Sequence, residues 1–542
     1  MRVFEVIIAL LVGGAALAAI ARRIGAPYPA LVALAGAAPA LIPGVPTLVL
    51  DPELALTLFV APVLLDSAFD SSPRDMRANW RAIASLALGA VGLTIAVVAI
   101  VAKLLVPAMP WAAAIALGAI VAPPDAAAAT TVLKQLRPPH RLLVILEGES
   151  LFNDASALLV YRLAVGAALA GSLSARSVLP TLLVVTAGSL VLGWLLARVT
   201  LNVITRIADV ATAIVFQFCT TFLVWIVAEQ LGLSGILTTV VYAMSVARPA
   251  AELVPARIRI PSYAVWEVAV FVLNVLAFIL IGFQLKSIVA RVTGATGARY
   301  ALIAAVVCIA AIAARIAWVT GAAALSRWRW REHDDGALGP SKAVALSGRA
   351  AAAVGWCGMR GAVTLAAALA LPTNFPFRDL ILTTAFGVTL GTLVAQGMTL
   401  RPLMRWLELE DDGTVDREIR LARVESLRAA LAAATSCPGA ESADLVRHRY
   451  RLQLSRAEAE LATDRADTEV VVPGQSAMPP SSARPDVHDE DAAVVRAATE
   501  AQRHRLVALR ADGTIGDAAF QRVEEELDWT ELGWAQVVGD VR

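Results

Sequence analysis

Hydrophobic and polar positions divide this chain sharply at about residue 406. Before that point, apolar runs follow one another with short polar breaks. Thirteen spans are expected, at about 3–21, 29–46, 53–70, 82–105, 111–134, 141–170, 178–203, 208–231, 234–247, 262–290, 299–326, 344–371 and 379–400. A bilayer needs roughly 17–25 apolar residues per helix, so only the ninth is short. The first also has the look of a signal peptide, with Arg2 before an apolar run, but twelve more spans argue against a secreted product. After residue 406 the pattern turns amphipathic. Helices rich in Ala, Leu, Glu and Arg are expected over roughly 414–434, 441–466, 493–511 and 515–532, with an acidic Pro/Ser-containing linker at 468–492. The expected fold class is an all-α polytopic membrane protein, 1–406, with a helical cytoplasmic tail, 407–542.

The sixth span interrupts its apolar pattern with Glu147, Glu149, Asn153 and Asp154. At about 1.5 Å per residue, Asp154 lies roughly 20 Å along the helix from Arg141, near the middle of a ~30 Å hydrocarbon core. An ionisable group there costs several kcal/mol unless it faces protein or water, which makes it a functional candidate. Ser150 shares a helix face with Asp154, and Glu149 shares one with Asn153. The bland alternative, a soluble helix with a solvated charged face, sits badly among twelve other apolar runs.

The fifth span is broken at Pro123-Pro124-Asp125. Two prolines remove two backbone donors, and unpaired backbone inside a bilayer survives only where protein or a cavity surrounds it. Asp125 would open the second half-helix, at the positive end of its dipole, at the same depth as Asp154. Discontinuous helices at the midplane are how secondary transporters build ion sites. The structural alternative is a proline kink with a capping aspartate. The twelfth span is dense in glycine around Arg360 (Gly355, Gly358, Gly361), which allows close backbone approach or helix irregularity. A mid-span arginine needs a partner, and Glu149 is the one expected. Arg315 in the eleventh span is matched in the same way with Glu147. Asp66, after Pro62 in the third span, is a secondary site candidate or a boundary aspartate.

Composition narrows the classes. The chain is 58% hydrophobic with mean hydropathy +0.68, far from a soluble enzyme. Its net charge of +1 implies no nucleic-acid partner. The four cysteines show no metal-ligand spacing, so no disulfide framework, structural metal or cofactor is expected. His140 and His333 fall in loops, no nucleophile–base pair lies at depth, and the tail has no phosphate-binding fingerprint. No enzyme is indicated. Loops after odd-numbered spans hold nineteen basic residues and those after even-numbered spans six, which puts the N-terminus outside and the tail in the cytoplasm.

Three motifs in order, APPDAAA, GESLFND and GMRGAVTLAAALALP, resemble the monovalent cation:proton antiporter-1 family, the sodium/proton exchangers of the NhaP/NHE type, in its bacterial branch. The resemblance covers residues 1 to 406. It implies thirteen helices with inverted repeats, a core domain, a dimerisation domain and hence a homodimer in the bacterial plasma membrane. By motif, Asp154 resembles the carboxylate that binds cation and proton, with Asn153 beside it. Asp125 resembles the broken-helix aspartate, Ser150 a hydroxyl near the ion, and Glu149 with Arg360 a structural pair. Many members read Thr-Asp-Pro where this chain reads Pro124-Asp125-Ala126, so one threonine ligand is missing.

The reading that results is a Na⁺ (or K⁺)/H⁺ antiporter in which cation and proton compete for Asp154. Asn153 cannot titrate, and adjacent Asn-Asp resembles the electroneutral exchangers of the superfamily. A cation channel or uniporter on the same site is the alternative, and a membrane-embedded sensor is the alternative of another class.

Overall fold

The computed structural model describes residues 2–24, 27–37, 54, 56–136, 138–170, 175–291, 294–331, 347–409, 411–436, 443–466 and 489–538. Residues 38–46 of the expected second span and 468–488 of the expected linker lie outside the described residues. Among the described residues the regular structure is helical throughout.

In chain order the helices are α1 (Arg2–Ile24), α2 (Tyr28–Ala37), α3 (Ala61–Asp70, after a π-helical turn at Leu56–Val60) and α4 (Pro73–Ala78). Then come α5 (Trp80–Leu105), α6 (Trp111–Val121), α7 (Ala126–Leu133), α8 (His140–Ala170), α9 (Ala175–Ile204), α10 (Val210–Gln230) and α11 (Gly235–Leu253). The membrane series ends with α12 (Ala256–Arg291), α13 (Gly294–Arg331), α14 (Gly348–Trp356), α15 (Ala362–Leu369) and α16 (Arg378–Leu407). Four more follow: α17 (Thr414–Ser436), α18 (Ala443–Ala466), α19 (Asp489–Ala511) and α20 (Asp517–Val538).

Among the described residues six helices are long and apolar enough to cross a membrane as they stand: α5, most of α9, α10, the first two-thirds of α12, α13 and α16. The expected count of thirteen is not reached on that criterion, for physical reasons. The fifth and twelfth spans are each two half-helices, α6/α7 and α14/α15, and α8 carries several ionisable residues along its 31-residue length.

Two compact units make up the chain, Met1–Leu253 with Ala264–Asp411, and Val254–Tyr263 with Asp412–Arg542. In the first, α13 packs against α5, α14 and α16, and α8 lies along α6. Their small residues (Ala90, Ala99, Ala113, Ala116, Ala353) are fully or almost fully buried, letting backbones approach closely where hydrophobic driving force between helices is absent. A second cluster joins α3 to α10 and α11 through Leu64, Ala68, Trp225, Ile236 and Val240.

The second unit is a helical bundle built on α17, with Ala430, Ala434, Val446, Tyr450, Val494 and Ala498 at its centre. The segment Val254–Tyr263 belongs to it through Arg259. This guanidinium donates to both Asp528 oxygens, at 2.8 and 2.5 Å, and pairs with Glu524 at 3.1 Å. Arg503 bonds the same Asp528 at 3.0 Å. The sequence offered no sign of this arrangement.

Candidate functional site: two crossing broken helices

The Pro123-Pro124 pair ends α6, and α7 restarts at Ala126, leaving an unwound stretch between them. The second break was not foreseen as a break: α14 stops at Trp356 and α15 begins at Ala362, with Cys357 to Gly361 unwound. The two stretches cross. Asp125 donates its backbone N–H to the Met359 carbonyl at 2.6 Å, so each break satisfies backbone groups of the other. Gly361 is required here, because a Cβ at that position would overlap the Asp125 carboxylate. Gly358 is similarly confined, against the Arg315 and Arg360 side chains.

Arg360 is fully buried, and its place corrects the expected pairing with Glu149. Its Nε donates to the carbonyl of Val121 at 2.9 Å and its Nη1 to that of Gly358. Val121 is the last residue of α6, so the guanidinium caps one orphan carbonyl at the negative end of a half-helix dipole and one in the unwound stretch that crosses it. Asp125 sits across the gap at the positive end of α7. The crossing is thus flanked by charges that each oppose a helix terminus.

Glu149 pairs instead with Arg315, through both carboxylate oxygens, and Arg315 also reaches the Val354 carbonyl at 3.2 Å. Both charged side chains are 2% exposed. The expected Glu147–Arg315 pair is therefore also absent. Residues two apart on a helix point about 200° apart, so Glu147 faces away from Arg315 and meets Lys134 at 3.8 Å.

The predicted site residues separate into two groups. Asp154, Asp125, Ser150 and Asp66 all line one cavity of about 230 Å³, together with Glu147. Asp154 is 6% exposed and close enough to Asp125 for the two carboxylates to repel. Asn153 does not line it. Its Nδ2 donates to the Pro124 carbonyl at 3.0 Å, tying α8 to the break in α6/α7. The same cavity takes in residues that sequence reasoning passed over: Thr130 and Thr131 on α7, Asn274 on α12 and Thr364 on α15. Thr364 is 1% exposed, and its Oγ1 has no hydrogen-bond partner among the described residues. A hydroxyl three residues after Gly361 was the available signal. Asp70 and Lys134 complete the lining on the side of Glu147. Oxygen donors that converge on a small, largely buried cavity suit a hard monovalent cation. Among the described residues no cluster of His, Cys, Asp and Glu suited to a transition metal is present.

The sequence profile of the family described as "Sodium/hydrogen exchanger, transmembrane" matches residues 6–406. An uncharacterized Na⁺/H⁺ exchanger of Mycobacterium tuberculosis (strain H37Rv) is 30% identical over 94% of this chain and 92% of its own length. A sodium, potassium, lithium and rubidium/H⁺ antiporter of Bacillus pumilus is 30% identical, over 70% of this chain and 58% of its own. Among solved structures, the sodium proton antiporter MjNhaP1 of Methanocaldococcus jannaschii superposes with a TM-score of 0.57 at 17% identity, covering 76% of this chain and 99% of that one.

Proposed function

Since this chain belongs to the sodium/hydrogen exchanger family, we propose that it works as an electroneutral antiporter carrying one monovalent cation against one proton, with Asp154 as the shared carboxylate. The observation that supports this reading is the single cavity holding Asp154, Asp125, Ser150 and Thr364 beside two crossing breaks. The ionised carboxylate binds the cation and the protonated one does not, so occupancy by one excludes the other. Alternating access then carries whichever is bound.

Asn153 holds the broken helix through Pro124 and offers no second proton site. Asp125 stays ionised at the amino end of α7 and balances the charge of the bound cation's surroundings. Thr130, Thr131 and Thr364 stand as the hydroxyl ligands in place of the family's missing threonine. Na⁺ is the first candidate. K⁺ is the second, because the Bacillus pumilus relative carries both names.

On this reading the membrane part has thirteen helices with inverted repeats, assembles as a homodimer in the bacterial plasma membrane, and starts outside. The tail is then cytoplasmic. Asp70, Lys134 and Glu147 mark the cytoplasmic mouth of the cavity. No resident cofactor enters the mechanism; cation and proton are the cargo.

The test is dissipation of a preset pH gradient in everted vesicles, with Na⁺, K⁺ and Li⁺ added in turn. Cation-dependent proton movement that disappears in Asp154→Asn supports the reading. Proton-independent cation currents would instead identify a channel.

A further inference from the structure

A second, larger cavity lies in the membrane unit, away from the ion site. It measures about 1320 Å³, above the roughly 300–1,000 Å³ of an ordinary small-molecule pocket. One wall comes from α5 and α8, the other from α9, α10 and α11. Most of the lining is apolar, including Ile83, Leu88, Leu159, Val185, Ile226 and Leu237.

The two ends differ. At one end stand Arg77 and Trp80. Arg81 stacks over the Trp80 ring at 5.6 Å to its centroid, and Arg74 is on the same short turn. The Arg77 side chain is exposed and makes no hydrogen bond or ion pair among the described residues. Asp75, on the same turn, is engaged by His140 at 3.3 Å. At the other end Arg162 and Glu229 neutralise one another at 2.8 Å. The α8 residues that line the cavity run from Phe152 to Gly166, roughly 21 Å along the helix, and Arg77 and Trp80 extend it toward the end where Arg141 bonds Asn79. Of the charged residues lining it, Arg162 and Glu229 cancel, so the net positive charge lies at the Arg77 end.

We propose that this groove holds an anionic phospholipid, its phosphate at Arg77, Trp80 and Arg81 and its acyl chains along the apolar walls. An aromatic ring and unneutralised arginines at a membrane interface are what such a headgroup selects. A zwitterionic headgroup carries its own cation and loses that advantage. The leaflet rests on the orientation given above: the turn bearing these arginines follows the third span and is cytoplasmic, the side where anionic lipid attracts basic residues. Phe152, Ala155 and Ser156 also line the groove, on the far side of α8 from the ion cavity. The bound lipid thus touches the helix that carries Asp154.

The purified full-length protein, delipidated in detergent, is titrated with phosphatidylglycerol and with phosphatidylcholine of the same acyl chains, and bound lipid is counted by native mass spectrometry. Phosphatidylglycerol should be retained preferentially. Arg77→Gln should weaken it about fivefold, and Arg77→Gln with Arg81→Gln roughly 25-fold, at about one basic residue's interaction each. Because Arg77 is exposed and unpaired, its loss should leave folding intact. Ala155→Trp fills the groove with every arginine in place and should also lower retention. Equal affinity for the two lipids, or unchanged retention in the double arginine variant, overturns the headgroup assignment. Soluble glycerol phosphate competing as well as the lipid would show a surface anion patch and overturn the groove. Binding is read without transport, so failure of the exchange assignment leaves this result standing.

Discussion

The Glu149–Arg315 pair offers the sharpest test of how the membrane unit is held together. Both side chains are 2% exposed and joined through both carboxylate oxygens. Removing either charge leaves the other buried without a counter-ion, which costs roughly 3–5 kcal/mol. Glu149→Gln keeps shape and one acceptor, so its loss should fall near the lower figure. Arg315→Gln gives up the Val354 carbonyl as well and should fall nearer the upper. With both changed, no uncompensated charge remains, and the double variant should be no worse than the poorer single. The implied coupling is therefore at least about 3 kcal/mol, at the top of the range for two residues in contact. Arg360 provides the control. Its guanidinium is engaged by the Val121 and Gly358 carbonyls, so Glu149→Gln combined with Arg360→Gln should lie much closer to additivity. Equilibrium unfolding of the detergent-solubilised variants, followed by tryptophan fluorescence, supplies the six free energies including wild type. A larger coupling of Glu149 to Arg360 than to Arg315 would refute the assignment.

Four further outcomes are expected. Asp154→Asn should insert and fold yet lose cation-driven proton movement in everted vesicles; retained exchange would remove Asp154 from the mechanism. Gly361→Ala pushes a methyl group into the Asp125 carboxylate, and a displacement worth ~1.4 kcal/mol at the transport barrier would slow exchange about tenfold; an unaltered rate in proteoliposomes would mean the crossing tolerates separation. One-for-one exchange moves no net charge, so a clamped diffusion potential of about −100 mV, worth ~2.3 kcal/mol per charge, should not shift the Na⁺/H⁺ equilibrium; a shift would show a second titrating carboxylate. In the tail, burial pushes Glu524 up to about 7, against the pull of Arg259. The folded bundle then holds a proton that the unfolded chain releases near pH 4.5. That stabilisation is full below the lower value and lost as pH rises through about 7. Glu524→Gln should therefore protect α19 and α20 relative to wild type at pH 8, and the gap should close below pH 5. Hydrogen exchange on the full-length protein, corrected for intrinsic rates, reads this, and a gap independent of pH would exclude Glu524 as its source.

Much of the architecture is local information. Run length and proline positions determine which segments become apolar helices and where α6 must stop, because a missing N–H is a property of Pro123 and Pro124 themselves. The expected mid-membrane depth of Asp125 and Asp154 rests on counting residues along a helix of known rise. The choice of partners is not local. Glu147 and Glu149 look interchangeable in sequence, yet two positions on a helix are about 200° apart, and the rotation of α8 about its axis decides which one meets Arg315. That rotation is set by packing against neighbours distant in the chain. The same holds for Arg360: an arginine among glycines reads as a charge needing a carboxylate, whereas the crossing supplies half-helix carbonyls instead. The break at Cys357 to Gly361 contains no proline, so composition permits irregularity there without requiring it. Only the approach of the α6/α7 break, with Met359 accepting from Asp125, makes the unwound form the stable one. Thr364, Asn274 and the contact of Arg259 with Asp528 likewise emerge where separate helices meet, at sequence separations that no local pattern spans.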